Sequence, residues 1–222
     1  TFDYNQRHSR EIQAARDVAK IAGVASHEVV TLGPILNGTS PLTNAAEDLE
    51  LYTDHDSMAA IIGDRVEKTF VPMRNALFLT IAANRAVCLG TEHLVTGVCQ
   101  ADNANYPDCR QAFVDAQAAA IREALGTESF SIHTPLMDLS KAQSIELALM
   151  LGSIPAGINT QIQRALHSFA YHALAFSHTA YDGQYPPVGK DHATVLRAHG
   201  FERAGLPDPL VIRAAHQGLM DL

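Results

Sequence analysis

The feature that most constrains this chain is an alternation of short β-type segments with longer helical ones along most of its length. Thr1–Tyr4, His27–Leu32, His93–Val98 and Ser129–His133 read as strands. Ser9–Ala22, Arg74–Leu89, Cys109–Leu125, Ser140–Leu151 and Asn159–Phe176 read as helices. Within Arg74–Leu89, the residues Leu77, Phe78, Ile81, Cys88 and Leu89 recur at helical spacing, which predicts a buried face that includes Cys88. Strands and helices in this order predict an α/β fold, a Rossmann-like parallel sheet with helices on both faces. The expected organisation is a single domain over residues 1–222, with an α/β core at 1–155 and a helical C-terminal region at 156–222. A chain of 222 residues that is 47% hydrophobic has enough apolar side chains for one sizeable core.

Composition narrows the function classes. A formal net charge of −8 argues against non-specific nucleic-acid binding. No apolar run approaches the roughly 20 residues that a membrane span needs. Cys88, Cys99 and Cys109 are an odd number of cysteines, which fits a reducing cytoplasm better than a disulfide framework.

One segment breaks the rhythm. Gly33 to Val71 joins a strand to a helix over a span far longer than the usual ~2–6 residues, and such spans are usually functional. It is expected to form a lid over a site, with a short helix near Met58–Ile62. Asp54, His55 and Asp56 are adjacent and cannot all face one ion, so they read as a solvated loop.

In wound α/β sheets, ligands bind beyond the carboxyl ends of the strands, where the next helices begin. Four such helix starts carry a cation: Gln6-Arg7-His8, Arg74-Asn75, Cys109-Arg110 and Ser140-Lys141. Ser140 with Gln143 forms a capping-box pattern that puts Lys141 at the first helical position. Asp108 reads as the cap that puts Arg110 in a first turn. A cation at the positive end of a helix dipole is unfavourable by about 0.3–1 kcal/mol. A single long side chain there simply extends to water. Four of them in an acidic protein point instead to a phosphate or carboxylate held at the rim.

Cys109, beside Arg110, has a setting that lowers a thiol pKa, but the sequence places no histidine to serve as its base. Tyr106 is an aromatic neighbour for a planar heterocycle, or else a packing residue.

Read in order, "TFDYNQRHSREI", "FVPMRN", "GVCQADNANYPDCR", "IHTPLMDLSKAQSIELALMLG" and "LRAHGFERAGLPDP" resemble the 7-cyano-7-deazaguanine (preQ0) synthase family of queuosine and deazapurine biosynthesis. The resemblance runs from Thr1 to Pro209. It implies an adenine nucleotide alpha-hydrolase-like fold of the PP-loop superfamily and an ATP-dependent C–N ligase. The implied substrates are 7-carboxy-7-deazaguanine, ammonia and ATP with Mg2+, in a cytoplasmic homodimer that binds neither nucleic acid nor membrane. Lys141, Arg110 and Asp108 are the implied catalytic residues. Arg7, His8, Gln6, Arg74, Asn75, Tyr106 and Cys109 are the implied substrate- and ATP-binding ones.

Three departures from the family accompany it. The family's Ser-Gly-Gly-x-Asp-Ser loop precedes the strand ending "TFDY", so this chain is expected to start at the second strand of its sheet, truncated ahead of Thr1. Asn5 stands where the family usually has glycine, and asparagine tolerates the left-handed backbone that such a turn requires. His178, Val188, Asp191 and Thr194 stand where the family has four zinc-binding cysteines. Valine cannot ligate zinc and threonine is a poor ligand, so no metal site is expected, with His178, Asp191 and His192 as the one makeshift possibility. A related amide-forming ligase and a catalytically inactive scaffold remain open beside the synthase.

Overall fold

A computed structural model of the chain describes residues 1–100, 104–151, 160 and 168–221. Its strands form two short parallel pairs. β1 (Phe2–Asp3) pairs with β2 (Val30–Thr31), Phe2 lying opposite Val30. Next to them in the chain, β3 (His93–Val95) pairs with β4 (Ser131–His133), Leu94 lying opposite Ile132. The strands are shorter than periodicity predicts, although single backbone bonds continue each ladder, as from Leu32 N to Asp3 O at 2.7 Å and Thr96 N to His133 O at 2.9 Å. Among the described residues no ladder joins the two pairs, so the single sheet expected from the alternation is present as two parallel halves.

Parallel strands need crossovers, and helices supply them. α1 (Arg10–Ala22) links β1 to β2 and ends where Gly23 turns left-handed. α2 (His55–Ile62) and α3 (Arg74–Cys88) lie between β2 and β3, and α4 (Gln111–Leu125) links β3 to β4. The C-terminal part carries α5 (Lys141–Met150), α6 (Phe169–Leu174), α7 (His192–Ala204) and α8 (Pro209–His216). Of the helix expected over Asn159–Phe176, residues 159 and 161–167 lie outside the described residues, and the described C-terminal end contains α6. Among the described residues, no helix is long and apolar enough to cross a membrane.

Among the described residues, three apolar clusters make up the core. Ala83 and Ala86 of α3 meet Ile121 of α4, Phe130, Leu94 and Ile132 beneath the β3–β4 pair. Ile145 and Leu149 of α5 meet Tyr171 of α6 and Phe201 and Ala204 of α7. Tyr52, Met58 and Ile62 pack on Leu196 of α7.

The structure differs from expectation in α3 and in the Gly33–Val71 segment. Cys88 is exposed, because the buried face of α3 runs through Leu79, Ala83 and Ala86, and Cys88 falls off that face in the last turn. The Gly33–Val71 segment, expected as a lid over a site, is packed into the body of the protein. Asp54 caps α2, accepting from Ser57 N at 2.8 Å while the Ser57 hydroxyl bonds back to Asp54 N, so Asp54 and His55 begin a helix where a loop was expected. Tyr52 and Met58, 2% and 0% exposed, then fasten the segment into the core. Asn5 does adopt a left-handed backbone, with φ of 65°.

Candidate active site

A cleft of about 1190 Å³ opens beyond the carboxyl end of β3. Thr96, Gly97 and Val98, which follow β3, form part of its wall, and the first turns of α3 and α5 and the start of α4 converge on it. Arg74, Asn75, Tyr106, Cys109, Arg110 and Lys141 all line it. Among the described residues no aspartate or glutamate does. In a chain of net charge −8, that segregation of positive side chains is the dominant electrostatic feature of the cleft.

Each cation is delivered by local structure. Arg74 begins α3 immediately after Met73, which is itself left-handed at φ 63° and swings the helix start toward the cleft. Its guanidinium reaches the Tyr4 hydroxyl at 3.5 Å and forms no ion pair among the described residues. Burial opposes its charge, but the phenols of Tyr4, Tyr181 and Tyr106 around it outweigh that and hold its pKa above the ordinary arginine value. Burial pushes those same three phenols up, so all remain neutral at physiological pH. Lys141 opens α5 behind the expected capping box: the Ser140 hydroxyl accepts Gln143 N at 3.2 Å and the Gln143 amide oxygen accepts Ser140 N at 2.8 Å. Arg110 is exposed and immediately precedes α4.

Asp108 is placed otherwise than expected. It lies in a short 3-10 turn, Pro107–Cys109, and does not cap α4. Its carboxylate accepts the Asn75 backbone N–H at 3.3 Å, and its carbonyl accepts the Asn75 side-chain amide at 3.1 Å. Asp108 therefore serves the first turn of α3, and at 6% exposure it is behind the cleft wall. Burial raises its pKa, partly offset by the Asn75 N–H and the Arg74 charge. Cys109 contacts the Asn75 amide through Sγ at 3.5 Å.

Three further expected site residues stand outside the lining. Arg7 turns onto the long segment and donates to the carbonyls of Ala45 at 3.3 Å and Glu47 at 2.9 Å. Gln6 is consumed by the β1 turn, accepting Tyr4 N at 2.9 Å and donating to Glu11 at 2.9 Å. His8 is 5% exposed and faces Glu11 at 3.3 Å. The expected convergence of Arg7 with the other rim cations does not occur, because backbone carbonyls of its own neighbourhood take up its donors.

Sequence reasoning missed Glu67. This carboxylate is 1% exposed and accepts from Thr69 N at 2.8 Å, the Thr69 hydroxyl, Tyr52 OH at 3.2 Å and Tyr106 OH at 3.3 Å. It fixes Tyr106 from behind, and no motif or period in the sequence marks it. Arg197 was missed as well. It reaches the cleft wall but forks onto Asp208 at 2.6 and 2.8 Å, so its charge is already matched.

In the C-terminal segment, Asp191 caps α7. Its two carboxylate oxygens accept from Thr194 N at 3.1 Å and the Thr194 hydroxyl at 2.8 Å. His178 Nε2 lies 3.0 Å from the Ala180 carbonyl, and Val188 is 67% exposed. Among the described residues no group of three His, Cys, Asp or Glu side chains is arranged to hold a metal ion.

Fold and cleft thus define an α/β protein whose helix starts bring Arg74, Arg110 and Lys141 to one cleft. The family model described as "Queuosine biosynthesis protein QueC" matches residues 1–205. The chain is 46% identical over 212 residues to the 7-cyano-7-deazaguanine synthase of Gloeobacter violaceus, covering 95% of this chain and 82% of that one. It is 43% identical to the 7-cyano-7-deazaguanine synthase of Laribacter hongkongensis, covering 97% and 83%. To that of Chromobacterium violaceum it is 42% identical, covering 99% and 84%. The chain belongs to the QueC family, whose fold is adenine nucleotide alpha-hydrolase-like.

Proposed function

We propose that this protein converts 7-carboxy-7-deazaguanine, ammonia and ATP to 7-cyano-7-deazaguanine. The observation that carries the reading is the cleft lined by Arg74, Arg110 and Lys141 and, among the described residues, by no carboxylate. The substrate carboxylate and the α-phosphate of ATP repel each other, and their approach is the first barrier. Cations held in a partly desolvated cleft screen that repulsion and stabilise charge on the phosphoryl oxygens.

The carboxylate attacks the α-phosphorus, pyrophosphate leaves, and an acyl-adenylate forms. Ammonia adds to the acyl carbon and AMP departs, leaving the amide. The amide oxygen attacks the α-phosphorus of a second ATP and pyrophosphate leaves; loss of AMP and of both protons on the nitrogen leaves the nitrile. Arg74 receives the substrate carboxylate or the phosphate that replaces it. Lys141 and Arg110 lie against the phosphates, Asn75 and Cys109 shape the wall between them, and Tyr106 bounds the base pocket. Asp108 acts by holding the wall rather than by touching substrate. The ATP is taken with Mg2+, which would shield its phosphates. The 222 residues contain no Ser-Gly-Gly-x-Asp-Ser loop, so the cleft cations account for the carboxylate and α-phosphate but not for a backbone cradle around pyrophosphate.

The family's structural zinc has no place in this reading. Asp191 and Thr194 satisfy each other as a helix cap, and Val188 has no donor atom. The protein works in the cytoplasm as a homodimer. Mass analysis of the product from the natural full-length protein tests the proposal. The nitrile supports it, an amide as the only product identifies an amide-forming ligase, and no AMP formation refutes both.

A further inference from the structure

We infer that Gly200 is a positioning residue for Lys141. The inference rests on Lys141 belonging to the working cleft. Gly200 lies inside α7, where it is buried and its backbone has no left-handed twist. Conformational freedom therefore does not explain a glycine there, and in a helix interior glycine is unfavourable relative to alanine. Space does explain it. A Cβ on Gly200 would stand 2.6 Å from Lys141 Cγ, 3.0 Å from Lys141 Cβ and 3.4 Å from Ile145 Cδ1. The first contact is closer than a real Cβ approaches another atom, and the second is unusually tight.

The stem of Lys141 thus lies in a notch that the missing side chain leaves in α7. The colliding atoms are the base of the side chain rather than its flexible tip, so any residue larger than glycine must displace the whole lysine or push α5 off α7. α5 cannot easily give way, since Ile145 and Leu149 pack into the same cluster as Phe201, the next residue after Gly200. A lysine at the first position of an exposed helix samples many rotamers. Seating its first two carbons against Gly200 aims the remaining chain along the cleft wall and removes rotamer freedom before substrate binds. The neighbourhood is legible only in three dimensions, because 59 positions separate the two residues.

A double-mutant cycle in the natural full-length protein tests this. Gly200→Ala should lower kcat about 10-fold or more with little change in KM, since the lysine is displaced and the rest of the cleft stays in place. In a Lys141→Ala background, where the Cγ collision is gone, Gly200→Ala should cost less than about 2-fold further. Should Gly200→Ala unfold the protein, Lys141→Ala in the same chain should restore part of the lost melting temperature. A second readout needs no turnover: acetylation of Lys141 by acetic anhydride, followed by mass spectrometry, should change rate in folded Gly200→Ala while other lysines do not. Equal losses in both backgrounds, with unchanged Lys141 acetylation, would overturn the proposal and leave Gly200 a packing residue. An inactive wild type with altered Lys141 acetylation in Gly200→Ala would overturn the proposed reaction and keep the positioning relationship.

Discussion

Asp108 and Asn75 are stitched together twice, backbone N–H to carboxylate and side-chain amide to carbonyl, at 3.3 and 3.1 Å. This fastens the Pro107–Cys109 turn to the first turn of α3. Arg74 and Arg110, 36 positions apart in the chain, consequently open onto the same cleft. Asp108→Ala removes a buried acceptor from a half-buried helix-start N–H, and should destabilise the protein by about 1–2 kcal/mol. Urea unfolding measures that loss. Asp108→Asn retains an acceptor and should lose less.

Arg74 pits function against stability. Burial desolvates its guanidinium, and among the described residues phenols rather than an ion pair offset that, whereas methionine of similar volume has no charge to desolvate. Arg74→Met should lower kcat/KM about 100-fold or more while the melting temperature stays level or rises. A marked fall in melting temperature with activity preserved would make Arg74 a structural residue.

Glu11 sets an acid limit on stability. Burial alone would raise its pKa, but the His8 imidazole and the Gln6 amide override burial and bring it below the ordinary carboxylate value. A carboxylate depressed in the folded state adds stability above its unfolded pKa, about 4.3, and loses it as pH falls through the folded value. The stability gap between wild type and Glu11→Gln should therefore be constant at neutral pH and close below about pH 4. A gap that widened in acid would contradict the assigned partners.

What the sequence disclosed follows the range of the forces involved. The Ser140–Gln143 capping box and the left-handed Asn5 were legible because both are decided within a few residues. The α/β alternation was legible as element order, while the extent of each strand was not, since a strand ends where its partner does. Asp108 looked like a cap for the helix that follows it, yet it caps α3 through a contact 33 positions away. Arg7 looked like a rim cation because nothing local shows that the Ala45 and Glu47 carbonyls come back to meet it. Glu67 and Gly200 left no periodic or motif signal, because their roles exist only through distant partners.

Arg197 is the hub of the C-terminal part. It forks onto Asp208, reaches the Ser177 hydroxyl at 2.7 Å and the Leu174 carbonyl at 3.1 Å, and both charged side chains are 11% exposed. Asp208 also accepts Leu210 N, capping α8. Arg197→Met strands Asp208 and should destabilise the protein by about 3–5 kcal/mol. Chelator should leave the melting temperature of the wild type unchanged, and elemental analysis should find no stoichiometric zinc, as a folding-linked metal would do neither. One zinc per chain would contradict the reading of Asp191 and Thr194 as a helix cap rather than as metal ligands.

In the proposed reaction one cleft carries two successive adenylations, first of a carboxylate and then of an amide. Substrate labelled with 18O in both carboxylate oxygens tests it most directly. Each adenylation hands one substrate oxygen to AMP, so the natural full-length protein should release two AMP per nitrile, each AMP carrying one 18O. One labelled AMP with an 18O-amide as the final product, or AMP free of label, would contradict the claim.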